Sequence, residues 1–209
     1  MKKLLTASAA VAALSAMPLQ AATLMTPADA NNQQDGIMFD VVTGSNGIIF
    51  ESLAVDLQAA TGDFEFYTIA GGIAGNTDSA AGWTLRDTFA GVTGSAGTVF
   101  DAFDITDFSV AANSVVGFYI TSTGPSSVRY HNGGPLGDVR ATNGDLTILN
   151  GVGKDYAFGA NFIPRSFSGS ITFTAVPEPA TWAFMIFGFG AVGGAMRRQR
   201  KANVKVSYA

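Results

Sequence analysis

Short runs of alternating or continuous apolar residues follow one another through the middle of the chain, and most are rich in β-branched and aromatic side chains. Such runs are typical of β-strands, and none has the 3.6-residue period of a long capped helix. The predicted strands span residues 37–42, 48–57, 63–69, 83–89, 98–110, 115–120, 146–149, 156–158 and 167–173. Turn-forming Gly, Asn, Asp and Pro separate them. The pattern predicts an all-β fold, a single antiparallel β-sandwich of jelly-roll-like arrangement.

The C-terminal part of the chain has a different pattern. Residues 180–196 carry no charge and would form a helix about 25 Å long, near the minimum for crossing a bilayer core. Four basic residues follow closely: Arg197, Arg198, Arg200 and Lys201. A basic flank stays in the cytoplasm, so we expect a transmembrane helix at 180–196, an external domain before it and a basic cytoplasmic tail at 202–209. A buried helix of a soluble domain is the alternative, which the glycines of this run disfavour.

The N-terminal part of the chain is typical of an exported protein. A basic start, an apolar stretch of about a dozen residues and a small-residue exit predict a signal peptide at 1–21, with cleavage after Ala21 or Ala22. A retained membrane anchor is the alternative, but the apolar stretch is short for a span. We expect a loose leader at 22–35 and the folded external domain at 36–175.

Charge and cysteine content restrict the function of the external part. Residues 22–176 hold five Lys and Arg against fifteen Asp and Glu, a net charge of −10, whereas the whole chain has −4. This acidity argues against nucleic acid or an anionic membrane surface as a partner of the domain. The chain has no cysteine, which excludes disulfides, thiolate metal sites and cysteine nucleophiles.

No pattern in the domain indicates catalysis. The one histidine, His131, has Ser126 and Asp138 near it in sequence, but a G-x-S-x-G motif is absent and we expect a polar loop histidine. Paired carboxylates for glycoside hydrolysis stay open as an alternative, because Glu51, Glu65 and many aspartates are present and their spacing singles out no pair. We therefore predict a protein that is not an enzyme.

Two groups of residues are candidate binding sites. A ligand surface is predicted on a glycine-rich loop at Tyr119, Arg129, Tyr130 and His131. A calcium site is predicted at Asp101, Asp104 and Asp107, whose carboxylates supply the oxygen ligands that calcium prefers. Their spacing is not that of a calcium-binding hand, and a solvated turn is the alternative. No other cofactor is expected.

The tail carries a specific resemblance. Its motif consists of Pro177, Glu178, Pro179, Trp182 and Ala183, followed by the apolar run and the basic cluster. This order resembles the PEP-CTERM sorting signal over residues 176–201, in the variant with Trp-Ala after Pro-Glu-Pro. The same kind of tail is also labelled an ice-binding protein C-terminal domain, but this label does not indicate ice binding. Residues 202–209 extend beyond the usual end of such signals.

The resemblance implies an exported protein of a Gram-negative bacterium. In that family an exosortase in the inner membrane recognises the tail and removes it, so the protein is membrane-anchored only transiently and then reaches the cell surface or the extracellular space. Over residues 36–175, the order of the segments 38–41, 54–57, 66–68, 81–83 and 116–120 is also similar to secreted bacterial β-sandwich modules that often precede such tails. We expect a structural or adhesive role linked to exopolysaccharide or biofilm. The alternative is a secreted carbohydrate-binding module or carbohydrate-active enzyme.

Overall fold

The computed structural model describes residues 20–97, 100–124, 126–176, 187–191, 193, 194 and 197. Within them the chain forms strands with short connections. The strands are β1 (Ala21–Met25), β2 (Asn32–Gln34), β3 (Gly36–Thr43), β4 (Gly47–Val55), β5 (Thr61–Ala70), β6 (Thr84–Thr93), β7 (Asp101–Val110), β8 (Val115–Ser122), β9 (Val128–His131), β10 (Val139–Thr142), β11 (Leu146–Leu149), β12 (Gly151–Lys154), β13 (Asn161–Phe167) and β14 (Gly169–Val176).

These strands build two antiparallel sheets. The small sheet has the order β1-β14-β4-β7, and the large sheet has the order β2-β9-β13-β12-β3-β8-β5-β6, with β10 and β11 attached beside β3. Neighbouring strands run antiparallel throughout, as in the long pairs of β3 with β8 and of β4 with β14. The predicted all-β, antiparallel fold is therefore confirmed.

One apolar core lies between the two sheets. Alternate residues of β4 point into it, which gives that strand its pattern of buried and half-buried positions. The ring of Phe118 on β8 is fully buried, and its centroid lies 5.1 Å from that of Phe50 on β4. Further ring contacts join the sheets, such as Phe64 with Phe103 at 5.4 Å. Aromatic burial thus holds the small sheet against the large one.

The outer face of the large sheet carries a second, smaller cluster. We call it the outer cluster: Met38, Ile73, Tyr119 and Val152 are buried in it, with Tyr67, Trp83 and Phe158 packed around them. It forms because the connection between β5 and β6 and the turn after β12 fold back over β8, whose burial on both faces follows from this cover. The indole ring of Trp83 and the phenyl ring of Phe158 both contact Tyr119.

The N-terminal segment at 22–35 is not the loose leader that we expected. β1 pairs with β14 from Ala21 opposite Thr174 to Met25 opposite Ser170, and β2 pairs with β9. Leu24 explains the difference, because its side chain is 6% exposed and belongs to the main core. Burial of Leu24 therefore holds the segment in place, although the composition of the segment is largely polar.

The prediction for residues 156–158 is also wrong, because they form a turn. Their apolar side chains cover the outer cluster instead of alternating along a strand; the Phe158 ring lies 5.2 Å from that of Tyr119. Six strands were not predicted at all: β1, β2, β9, β10, β12 and β13.

Part of the C-terminal tail is described. Residues 187–191, 193, 194 and 197 are helical and exposed. Among the described residues, no helix is both long enough and apolar enough for a membrane crossing. Much of the predicted transmembrane helix at 180–196, and the predicted signal peptide apart from its last two residues, lie outside the part of the chain that the structure describes.

Replacing the central ring of the core tests how the sheets are held together. We expect Phe118→Ala to lower the free energy of unfolding by about 3–5 kcal/mol, because it removes a buried ring and leaves a cavity. Leu85→Ala on β6 is the control; Leu85 is 47% exposed, and its loss should change stability by under about 0.5 kcal/mol. Urea unfolding measures both, and equal effects of the two substitutions would contradict this account of the core.

Candidate functional site

The predicted ligand surface is not a single loop. Tyr119 lies on β8 in the outer cluster and is 0% exposed, and Tyr130 lies on β9 and is 1% exposed. Arg129 and His131 are on β9 too, where they are half-buried. The structure therefore places three of the four residues on one strand and the fourth in a separate cluster, and the two tyrosine rings face packed interiors.

Arg129 and His131 both have partners within the fold. Nη1 of Arg129 lies 3.2 Å from Oδ1 of Asp56, whose side chain is nearly fully buried. Burial raises the pKa of Asp56 above its ordinary value, and the Arg129 guanidinium partly opposes that shift. Nδ1 of His131 lies 3.0 Å from the carbonyl oxygen of Asp29. These contacts tie β9 to neighbouring segments, which is a structural role.

The predicted calcium ligands lie along β7. Oδ2 of Asp101 accepts a hydrogen bond from the backbone N–H of Ser95 at 3.0 Å, and Asp104 and Asp107 are exposed. Residues three apart on a strand are about 10 Å apart, and their side chains stand roughly perpendicular to the strand, so the three carboxylates do not converge on one position. No group of three His, Asp or Glu residues in the described part of the chain is arranged to hold a metal ion. Calcium binding stays a prediction without a preformed site among these residues.

Most residues of the predicted sorting signal lie outside the described part of the chain: Pro177, Glu178, Pro179, Trp182, Ala183, Arg198, Arg200 and Lys201. Arg197 is described; it is helical and exposed. The domain ends directly before the signal, because Val176 is the last residue of β14 and pairs with Gly47.

A cleft that the sequence did not predict opens between the sheets. We call it the β6–β7 cleft, after the edge strands that flank it; its volume is about 550 Å³. Its lining includes Thr68, Thr84, Arg86, Phe108, Ser109, Ser114 and Val115. The two edges beside it are joined by side-chain contacts, because Asp87 accepts hydrogen bonds from N and Oγ1 of Thr106 at 3.0 and 2.7 Å.

Arg86 is the charged residue of this cleft. Its Nε donates a hydrogen bond to Oγ1 of Thr68 at 2.8 Å, and its guanidinium carbon lies 4.6 Å from the centroid of the Phe108 ring. These two contacts fix the cation while the side chain remains exposed. Around it the described lining offers hydroxyl groups and apolar carbon, and it contains no Asp, Glu or His. Such a cleft suits a hydroxyl-rich or anionic ligand better than acid–base catalysis.

One rim of the cleft is anchored by a half-buried carboxylate, that of Asp40. Gly71 lines the cleft, and two residues further on the backbone N–H of Ile73 donates to Oδ1 of Asp40 at 2.8 Å. Between them Gly72 has a φ of +96°, and a Cβ there would lie 2.9 Å from Oδ1 of Asp40. Burial raises the pKa of Asp40, and the hydrogen bond from Ile73 partly opposes this shift.

The same connection is held further along by a buried lysine. The Lys154 side chain is 0% exposed, and its Nζ donates to the carbonyl oxygen of Gly159 and, at 2.8 Å, to Oδ1 of Asn161. Nζ also lies 4.0 Å from Oδ1 of Asp78, which accepts a hydrogen bond from Nδ2 of Asn161. Burial lowers the pKa of Lys154. The ammonium therefore donates two hydrogen bonds and has a carboxylate 4.0 Å away, and its role is to fix the cover of the outer cluster.

Comparison with known proteins identifies the tail. Residues 175–201 match the family model of the PEP-CTERM protein-sorting motif. The chain thus carries this motif, and its match begins within the last two residues of β14. No curated protein is significantly similar in sequence to the chain.

The Asp40 carboxylate should make stability depend on pH in a defined direction. Its folded-state pKa is raised, so wild type should lose stability as pH rises from the ordinary carboxyl pKa through the raised value. Asp40→Asn keeps an acceptor for Ile73 without the charge. Its stability relative to wild type should therefore be highest at neutral pH and fall as pH is lowered.

Urea midpoints of wild type and Asp40→Asn at about pH 7 and pH 4 measure this difference. The exposed Asp104→Asn is the matched control and should show little change between the two conditions. An Asp40→Asn protein that gains stability over wild type on acidification would contradict the predicted sign.

Proposed function

We propose that the chain is an exported cell-surface or extracellular-matrix protein whose tail is sorted and removed by an exosortase. The match of residues 175–201 to the PEP-CTERM motif carries this proposal. The position of the motif supports it, because every described strand lies before Pro177. Removal of the tail would leave both sheets and their shared core intact.

For the working domain we propose a structural or adhesive β-sandwich linked to exopolysaccharide or biofilm. Two sheets that share one aromatic core can be stable without disulfides, which suits an exported chain that has no cysteine. The domain is also strongly acidic, and net charge keeps exported proteins soluble at high local concentration.

Carbohydrate binding is the second candidate function, and the β6–β7 cleft favours it. A fixed guanidinium, several hydroxyl groups and the ring of Phe108 line this cleft. Sugar hydroxyls and acidic sugar groups accept hydrogen bonds from arginine, and apolar carbon packs against sugar C–H groups. Because the described lining has no carboxylate, we propose binding without turnover and no enzyme activity.

The first experiment tests processing. The full chain is expressed in a bacterium that has a cognate exosortase and in the same strain without it, and the surface protein is analysed by intact mass spectrometry. We expect a C-terminus within or beside 177–179 in the first strain and Ala209 in the second. Chains that end at Ala209 in both strains would refute removal of the tail.

The second experiment tests the cleft. Wild type and Arg86→Gln are applied to a glycan array that includes acidic exopolysaccharides, and reducing-sugar release is measured in parallel. We expect wild type to bind, Arg86→Gln to lose at least about tenfold in affinity because a charge-assisted contact is removed, and no sugar release. Leu85→Ala, on the same strand but outside the cleft lining, is the control that should bind like wild type. Equal binding by wild type and Arg86→Gln would show that the cleft is not the binding site.

A further inference from the structure

The two ends of the domain meet at one end of the small sheet. Ala21, where β1 begins, is opposite Thr174, and Val176, where β14 ends, is opposite Gly47. The first strand therefore starts beside the place where the last strand finishes. The predicted signal peptide and the sorting motif join the domain at neighbouring points.

Three turns surround these two junctions and pack into one surface. The N–H of Asn113 donates to the carbonyl oxygen of Gly44 at 2.8 Å, and the N–H of Gly44 donates to that of Asp145 at 2.8 Å. Nδ2 of Asn46 adds a contact to Oδ1 of Asp145 at 3.2 Å. We call this surface the junction pole: Ala21, Val176 and the turns at 44–46, 111–114 and 143–145.

The junction pole carries little charge. The three turns hold a single charged side chain, that of Asp145. The opposite end, where Val55 pairs with both Gly169 and Asp101, carries Asp101 itself and the ion pair of Asp56 with Arg129. In a domain with a net charge of −10, the junction pole is thus an end that can approach anionic lipid with little repulsion.

The chain leaves little room between this surface and the membrane. The apolar run of the tail begins at Ala180, and four residues beyond Val176 reach at most about 14 Å. β4 spans the domain from Gly47 to Val55, about 27 Å along its axis, so the opposite end stays far beyond that reach.

We propose that the junction pole faces the lipid headgroups while the precursor is membrane-bound. The inference rests on the proposed membrane-anchored precursor. It adds an orientation: the turns at 44–46, 111–114 and 143–145 lie against the bilayer, and the end that carries Asp56 and Asp101 points away from it. The signal peptide and the tail would then enter the membrane from one side of the domain.

The absence of cysteine allows a direct test. Two single-cysteine variants of the full chain form a matched pair, Ala111→Cys in the junction pole and Ala59→Cys at the opposite end; both alanines are exposed. Each is labelled with a fluorophore and reconstituted into phosphatidylethanolamine–phosphatidylglycerol vesicles that contain a headgroup-attached quencher. Flotation with the vesicles is measured first, and quenching is measured on the floated protein.

We expect both variants to float and the label at residue 111 to be quenched several-fold more than the label at residue 59. Equal quenching, or stronger quenching at residue 59, would overturn the orientation while leaving the anchored precursor in place. A chain that does not float would overturn the anchored precursor itself, and the orientation with it.

Discussion

The burial of the Phe118 ring is the contact on which the rest of the structure depends. Its centroid lies 5.7 Å from that of Phe39 and 5.1 Å from that of Phe66, both on the large sheet. It also lies 5.1 Å from Phe50 and 6.0 Å from Phe108 on the small sheet. One ring thus joins the two layers, in a chain that has no disulfide to do so. The same Phe108 ring supports Arg86, so the core also positions the charged group of the β6–β7 cleft.

On the outer face of the large sheet, polar side chains also hold the structure together, because they fix the irregular connections that cover the outer cluster. The Asp40 side chain is partly buried and the Lys154 side chain is fully buried. Each forms hydrogen bonds with the connection that it holds in place. Desolvation shifts their pKa values in opposite directions, and both shifts disfavour the charged form. The cleft rim at Gly71 is therefore positioned by a half-buried polar contact of Asp40 together with the apolar packing of Ile73.

Long alternating runs made the main strands predictable, as in β4 and β5, because one face of each is buried and the other is not. The four-residue strands β9 and β12 escaped prediction, because each mixes apolar residues with charged residues or glycine; β11 is equally short but was predicted from its three apolar residues. β1 is recognisable only by its pairing with β14, a contact that no local pattern encodes. The cleft was missed for the same reason: Arg86 and Phe108 are far apart in sequence and meet only across the sheet edges. The sorting motif was identified because it is local and linear.

The position of β14 has a mechanical consequence. This strand lies between β1 and β4, and its pairing with β4 runs over its whole length, from Gly169 to Val176. A tether at Val176 pulls β14 along its own axis, while its hydrogen bonds run perpendicular to that axis. The bonds of both ladders are then loaded in shear and must break together, instead of opening one after another. Until the proposed removal of the tail, the domain would therefore resist unfolding by a pull on its membrane anchor.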